Sequence, residues 1–257
     1  MTFEVVAGDP GSPVILHVPH ASREVVGSGL LLGAGELAEE LDNLTDAWTD
    51  VIAARAAGAA LRRPWMLVNR LSRLVVDPER FTDDTEEMLA AGMGPVYTHG
   101  YAGRRLRADD PARDAALLAE HFFPYAAAMT TLTGERLAAT GRAVILDIHS
   151  YPSEPLPYEL HGTGPRPPIC LGTEGAHTPP WLLDAARGAF AGAGEIGLNS
   201  PFAGCYVPSA YWQRDTAVSA LMVEIRRDIY MREPGGAPTP GLDTLGRGLG
   251  ALVDAIG

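Results

Sequence analysis

The stretch Val144-Ile145-Leu146-Asp147-Ile148-His149-Ser150 decides the fold class. An unbroken apolar run rich in β-branched residues reads as a strand buried on both faces. Polar residues gather at its carboxyl end, and the chain then breaks into Tyr151-Pro152-Ser153. A second segment, Val14-Ile15-Leu16-His17-Val18-Pro19-His20, also runs apolar into a histidine and continues as Ala21-Ser22. Ligands of open α/β sheets collect at the carboxyl ends of strands. Two strands that each deliver an imidazole at their exit therefore point to two ligands of one metal.

Working outward, Gly35 to Ala59 carries Leu37, Leu41, Leu44, Trp48 and Ile52 at helical spacing and predicts one amphipathic helix. Short strands are expected at Trp65–Asn69 and Leu74–Asp77. Residues 92–109, rich in Gly, Tyr, His and Arg, read as a loop over the site. Asp110-Pro111 is a helix start, an N-cap followed by Pro in the first turn. That helix runs toward Thr140 with a bend at Pro124. Strands near 169–172 and 219–225, a helix after Pro180 and a final helix near 240–255 follow. Strands alternating with helices predict an α/β fold with three αβα layers around a central mixed, mainly parallel sheet. No repeat or low-complexity linker divides residues 1–257, so one domain is expected; 151–168 and 233–241 read as long loops.

Charge and composition narrow the chemistry. A formal net charge of −12 disfavours nucleic acid and anionic membranes as partners. All 20 basic residues are Arg, which excludes P-loop lysines, Schiff-base lysines and Ser-Lys dyads. An anionic substrate would then be held by an Arg fork, suited to carboxylates. Cys170 and Cys205 stand far apart and are expected to be free thiols. No apolar run reaches the roughly 18–20 residues that span a bilayer. Met1-Thr2-Phe3-Glu4 lacks the start of a signal peptide. A soluble, cytoplasmic protein is the expectation.

Of the seven histidines, only His20 and His149 close an apolar strand. Either alone reads as a structural histidine; together they favour metal. A catalytic zinc needs a third protein ligand and an open position. Asp42 and Asp46 lie one helical turn apart on one face, and spacing does not choose between them. Glu224 is the one carboxylate in the apolar run Ala220-Leu221-Met222-Val223-Glu224-Ile225. An unpaired buried charge is expensive. It calls for an arginine such as Arg226 or Arg73, a metal, or work as a general base. In the expected strand 73–77, Arg73 and Asp77 share a face, and Arg80 lies just beyond, where a carboxylate clamp would sit.

In order, the chain presents Val18-Pro19-His20-Ala21-Ser22, Thr45-Asp46, Ser72-Arg73-Leu74-Val75-Val76-Asp77 and Asp147-Ile148-His149-Ser150. Leu171-Gly172-Thr173, Asn199-Ser200-Pro201-Phe202-Ala203-Gly204 and Glu224 ahead of Tyr230-Met231 follow. This set resembles the N-formylglutamate amidohydrolase family, from about residue 13 to 232. The resemblance implies a fold related to zinc carboxypeptidases and aspartoacylase. It implies one zinc ion held by His20, Asp46 and His149, favouring Asp46 over Asp42. It further implies Glu224 as general base and then acid, Arg73 near the scissile carbonyl oxygen, and Arg80 on a substrate carboxylate. Asn199, Phe202 and Gly204 are implied in substrate binding. The implied reaction is hydrolysis of a small-molecule N-formyl or other N-acyl acidic amino acid, as in histidine degradation. Asp147, two residues before His149 on the same strand face, becomes a candidate partner of that ring.

The alternatives to this reading are a carboxypeptidase-like hydrolase or deacylase of a different N-acyl amino acid or small peptide, and a non-catalytic binding protein on the same fold, against which the joint presence of His20, Asp46, His149 and Glu224 argues. Three positions depart from the family pattern. Glu79 stands where Asn is usual, in Asp77-Pro78-Glu79-Arg80. Phe202-Ala203-Gly204-Cys205 replaces Phe-x-Gly-Gly, and His17 takes the place of a small or apolar residue. Glu79 puts an acceptor beside the expected carboxylate clamp, so another N-acyl amino acid is the alternative substrate.

Overall fold

The computed structural model describes residues 2–160 and 164–257. Its sheet follows from the apolar runs. The strands are β1 (Phe3–Val6), β2 (Val14–Val18), β3 (Trp65–Asn69), β4 (Ala143–Tyr151), β5 (Ile169–Gly172), β6 (Ile196–Leu198) and β7 (Val218–Arg226). They lie in the order β1-β3-β2-β4-β7-β5-β6. The central strands β3, β2, β4 and β7 run parallel, whereas β1 is antiparallel to β3 and β5 to β7. The mixed, mainly parallel sheet of the sequence reading is thus observed. Every residue of β2 and β4 is buried. Each large aliphatic side chain buried there contributes ~1.5–3 kcal/mol, so these strands anchor the core.

Side chains alternate between two cores, as a period of two requires. Val144, Leu146 and Ile148 pack with α2 (Thr49–Ala59), α5 (Pro180–Ala189) and α6 (Gly241–Ile256). Ile145 and Ala143 face the other way, against Tyr125, Met129 and Leu132 of α4 (Phe123–Thr140). Helices on both faces give the expected three layers. None of the described helices is long and apolar enough to cross a membrane.

Two expected elements are corrected. The helix expected over 35–59 is two, α1 (Ala34–Leu44) and α2, separated at 45–48. Thr45 is extended, Trp48 is left-handed with φ 69°, and the Asp46 N–H donates to the His20 carbonyl at 3.0 Å. The break turns Asp46 inward. The strand expected at 74–77 is a turn, in which Val75 N–H donates to the Ser72 carbonyl at 2.8 Å. Its carbonyls find a side chain instead of a neighbouring strand. Arg107, fully buried, donates to the Leu74 and Tyr97 carbonyls and to that of Ser28 at 2.7 Å.

The helix opening at Asp110-Pro111 forms as α3 (Pro111–Leu117), with the Asp110 side chain accepting from Arg113 N–H at 3.0 Å. It joins α4 through a π-helical turn over Leu118–Phe122, just ahead of Pro124. A widened turn lets the helix accommodate the proline's missing donor. Within the expected loop 151–168, residues 161–163 lie outside the described residues.

Candidate metal centre and active site

The carboxyl ends of β2, β4 and β7 bring the polar residues together. On β4 and β7, Asp147, His149 and Glu224 occupy the alternate positions that face the α4 side of the sheet. Strand register places His17 opposite Asp147 and His149 opposite Glu224. His20 lies just past β2, where the Asn69 side chain holds the Pro19 carbonyl at 2.9 Å. Asp46 reaches the same point from the break between α1 and α2. Asp42 points elsewhere: it is half-exposed and pairs with Arg23 at 2.7 Å.

Three donor atoms converge. His20 Nδ1 lies 3.3 Å from His149 Nδ1, and Asp46 Oδ2 is 3.1 Å from His149 Nδ1 and 3.7 Å from His20 Nδ1. The opposite ring nitrogens are engaged: His20 Nε2 meets Asp77 Oδ1 at 2.8 Å, and His149 Nε2 meets Asp147 Oδ1 at 3.0 Å. Carboxylates on the far nitrogens fix the tautomer and leave both Nδ1 lone pairs facing inward, the arrangement that orients metal-ligating histidines. Lone pairs of two imidazoles and a carboxylate aimed at one point repel unless a cation sits between them. His20, Asp46 and His149 form a group that can hold a metal ion. Two nitrogens and one oxygen suit zinc.

The surrounding electrostatics also call for positive charge. Burial and Arg73 oppose protonation of His20, yet Asp77, Glu79 and Asp46 hold its pKa above the ordinary value. Burial disfavours charged His149 as well, and Glu79 and Asp147 overcome it. Asp46 is likewise kept ionised against burial by the neighbouring imidazoles of His149 and His20. Its second oxygen, Oδ1, accepts from Arg227 Nη2 at 3.0 Å. Glu224 behaves oppositely. Burial pushes its pKa up to about 8, and its Oε2 is buried without a hydrogen-bond partner among the described residues. Neither Arg226 nor Arg73 pairs with it: Arg226 binds Asp228 at 2.7 Å and Arg73 binds Asp77 at 2.8 Å.

His20, Asp46, Arg73, Arg80, His149 and Glu224 line one cleft of about 390 Å³, together with Asn199 and Phe202. Asn199 adopts φ 54° and its amide exchanges hydrogen bonds with Thr173, so its side chain is committed to the wall. Gly204 lies instead on a neighbouring cavity of about 420 Å³, which Glu79, Arg80, Ala203 and Met222 separate from the cleft by lining both. Arg80 Nε is buried without a hydrogen bond among the described residues; its nearest carboxylate among them is Asp77 Oδ2 at 3.5 Å.

Sequence reasoning missed three contributors. Arg227 holds Asp46 and also donates to the Asn43 carbonyl at 2.6 Å, whereas its neighbour Arg226 pairs with Asp228. Asp77 anchors His20, Arg73 and Tyr97, whose hydroxyl donates to Asp77 Oδ2 at 2.5 Å. Tyr97 comes from the 92–109 loop, which packs on the turn at 71–80 from behind; His99 there bonds Thr98 Oγ1 at 3.0 Å and is local. An aspartate flanked by arginines at 73 and 80 was the available signal for Asp77.

A family model for N-formylglutamate amidohydrolase matches residues 12–231. No curated protein matches the chain. Among solved structures, an N-formylglutamate amidohydrolase from Ralstonia eutropha is 22% identical, with a TM-score of 0.82 over 98% of this chain and 95% of that one. A gene product from Agrobacterium tumefaciens is 20% identical, with a TM-score of 0.66 over 89% of this chain and 86% of that one. These likenesses support the fold, and the family model covers strands β2 to β7, the turn and every residue of the convergent group. The chain belongs to the N-formylglutamate amidohydrolase family of amide-bond hydrolases.

Proposed function

We propose that the protein is a zinc-dependent deformylase, hydrolysing the N-formyl amide of an acidic amino acid such as N-formyl-L-glutamate to formate and the free amino acid. His20, Asp46 and His149 would hold the ion. Zinc bound there supplies Lewis-acid polarisation and makes water acidic enough to lose a proton near neutral pH. Glu224 accepts that proton as the oxygen attacks the formyl carbon, then returns it to the departing amine as the C–N bond breaks. Arg73 faces the negative charge that develops on the carbonyl oxygen. Arg80, whose partly exposed side chain lines the cleft, pairs with a substrate carboxylate. Asn199 and Phe202 shape the cleft wall. Gly204, on the adjoining cavity, contributes through the backbone turn that carries Phe202.

The observation that carries this reading is Glu224: a buried carboxyl whose Oε2 has no hydrogen-bond partner among the described residues, opposite His149 in the sheet and beside three donor atoms that converge. Nothing in the packing of the fold requires it. The test is hydrolysis of N-formyl-L-glutamate by protein stripped with a chelator and then given one equivalent of zinc. Activity that zinc restores in the wild type, but not in Glu224→Gln, is expected. Turnover unaffected by the chelator would overturn the reading.

One observation favours a different acyl amino acid. The Glu79 carboxylate lines the cleft beside Arg80 and disfavours a second anionic group on the substrate. Comparing kcat/KM for N-formyl and N-acetyl derivatives of glutamate, glutamine and leucine separates the two substrates. A preference for the neutral side chains would replace glutamate in the proposal.

A further inference from the structure

Behind the convergent group lies a second set of metal-ligating atoms. His17, Glu79 and Asp147 each offer one atom within 4.8 Å of the others. His17 Nδ1 stands 2.8 Å from Asp147 Oδ1 and 3.6 Å from Glu79 Oε1. His17 and Asp147 are buried, and the Glu79 side chain is only 13% exposed. The two sets share a wall, the His149 ring. Its Nδ1 faces Asp46 and its Nε2 faces Asp147 at 3.0 Å and Glu79 at 3.2 Å.

The charge balance here differs from the rest of the site. Asp46 has Arg227, and Asp77 has Arg73 and Arg80. Glu79 and Asp147 have no guanidinium within 4.0 Å among the described residues; their charged partners are the imidazoles of His17, His149 and, for Glu79, His20. Asp147 Oδ2 receives one backbone donor, Tyr206 N–H at 3.0 Å. Glu79 and Asp147 therefore close on His17 as two enclosed carboxylates without a guanidinium partner among the described residues, a costly arrangement that a cation relieves.

We propose that His17, Glu79 and Asp147 form a second divalent-cation site, distinct from the one formed by His20, Asp46 and His149. One imidazole nitrogen and two carboxylate oxygens suit Zn²⁺ or Mn²⁺. No redox step or bond rearrangement is involved: the cation takes the place of the hydrogen between His17 Nδ1 and Asp147, and His17 binds as the neutral ring with its one proton on Nε2, any second ring proton leaving to solvent. Occupation removes a negative charge from the wall of the cleft next to Arg80. The site thereby governs whether that wall accepts an anionic substrate.

The test is metal content. Chelator-stripped protein is titrated with ZnCl₂ by calorimetry, and dialysed protein is analysed by elemental mass spectrometry. Wild type is expected to take two ions per chain. Glu79→Gln and His17→Ala are expected to take one, and His20→Ala to keep one. Glu79→Gln lies on a turn outside the core and covers the case in which His17→Ala fails to fold. One ion in wild type, retained in Glu79→Gln and lost in His20→Ala, overturns the second site and leaves the proposed catalytic centre standing. One ion retained in His20→Ala and lost in Glu79→Gln refutes the catalytic centre instead, and the two-site proposal with it. Two ions that both survive Glu79→Gln and His17→Ala also overturn the second site.

Discussion

Replacing Glu224 with Gln is predicted to stabilise the metal-free protein, in a way that depends on pH. Burial raises the Glu224 pKa from 4.5 to about 8 in the folded chain. An acid whose folded pKa is raised binds its proton more tightly folded than unfolded. Below pH 4.5 both states are protonated and Glu224 contributes no penalty. As pH rises from 4.5 to about 8, the unfolded chain ionises freely while the folded one resists, and stability falls; above 8 the penalty is constant. Each tenfold change in an equilibrium is worth ~1.4 kcal/mol, so the penalty is about 3 kcal/mol at pH 7. Gln keeps the shape and cannot ionise. Urea unfolding with chelator present, from pH 4.5 to 8.5, should therefore give coincident stabilities at the acid end. They should diverge by about 3 kcal/mol at pH 7. A bound cation stabilises the carboxylate, so zinc should narrow the gap. Parallel curves for the two proteins across this range would refute the assignment of Glu224 as an uncompensated buried acid.

Further outcomes follow from the same geometry. Asp77→Asn, which weakens the acceptor on His20 Nε2, should lower zinc affinity about 10–100-fold in competition with a chromophoric chelator. Arg80→Ala should raise KM for N-formyl-L-glutamate about 10–100-fold, the loss of one charge-assisted contact, with kcat much less changed. Steady-state kinetics decide it, and an effect confined to kcat would contradict the clamp. Arg107→Met strands buried carbonyls at Leu74, Tyr97 and Ser28, and should cost about 3 kcal/mol or more in chemical denaturation. An unchanged midpoint would show that the turn at 71–80 does not depend on it. Zinc removal should also lower the melting temperature of the wild type, and Asp46→Asn should abolish that response.

The parts of this fold legible in the sequence are those where burial leaves no choice. β2, β4 and β7 are enclosed on both faces, so their residues are apolar except where chemistry intrudes. Against that background His20, His149 and Glu224 stand out. β1 and β6 escaped because they are short edge strands with partly exposed residues. The break at 45–48 contains neither Gly nor Pro. It is fixed by the hydrogen bond from Asp46 to the His20 carbonyl, a contact between segments that local propensity does not record. The turn at 74–77 misled for a related reason. Leu74-Val75-Val76 has the composition of a strand, and what prevents one is a guanidinium from residue 107 occupying the carbonyls. Residue type alone left Asp42 and Asp46 equivalent; the family resemblance chose between them, and the chain path gives the reason.

The register of β4 has a consequence for how this protein can vary over time. His149 and Asp147 face one side of the sheet, and Val144, Leu146 and Ile148 fill the opposite core. Deleting or inserting a single residue within 143–149 would exchange the two sets, presenting Ile148 to the cleft and driving an imidazole and a carboxylate into hydrocarbon. Substitutions on exposed helix faces leave that alternation untouched. Changes of length are therefore confined to the connections, and descendants of this chain will differ in the sizes of their loops long before they differ in the count of residues along this strand.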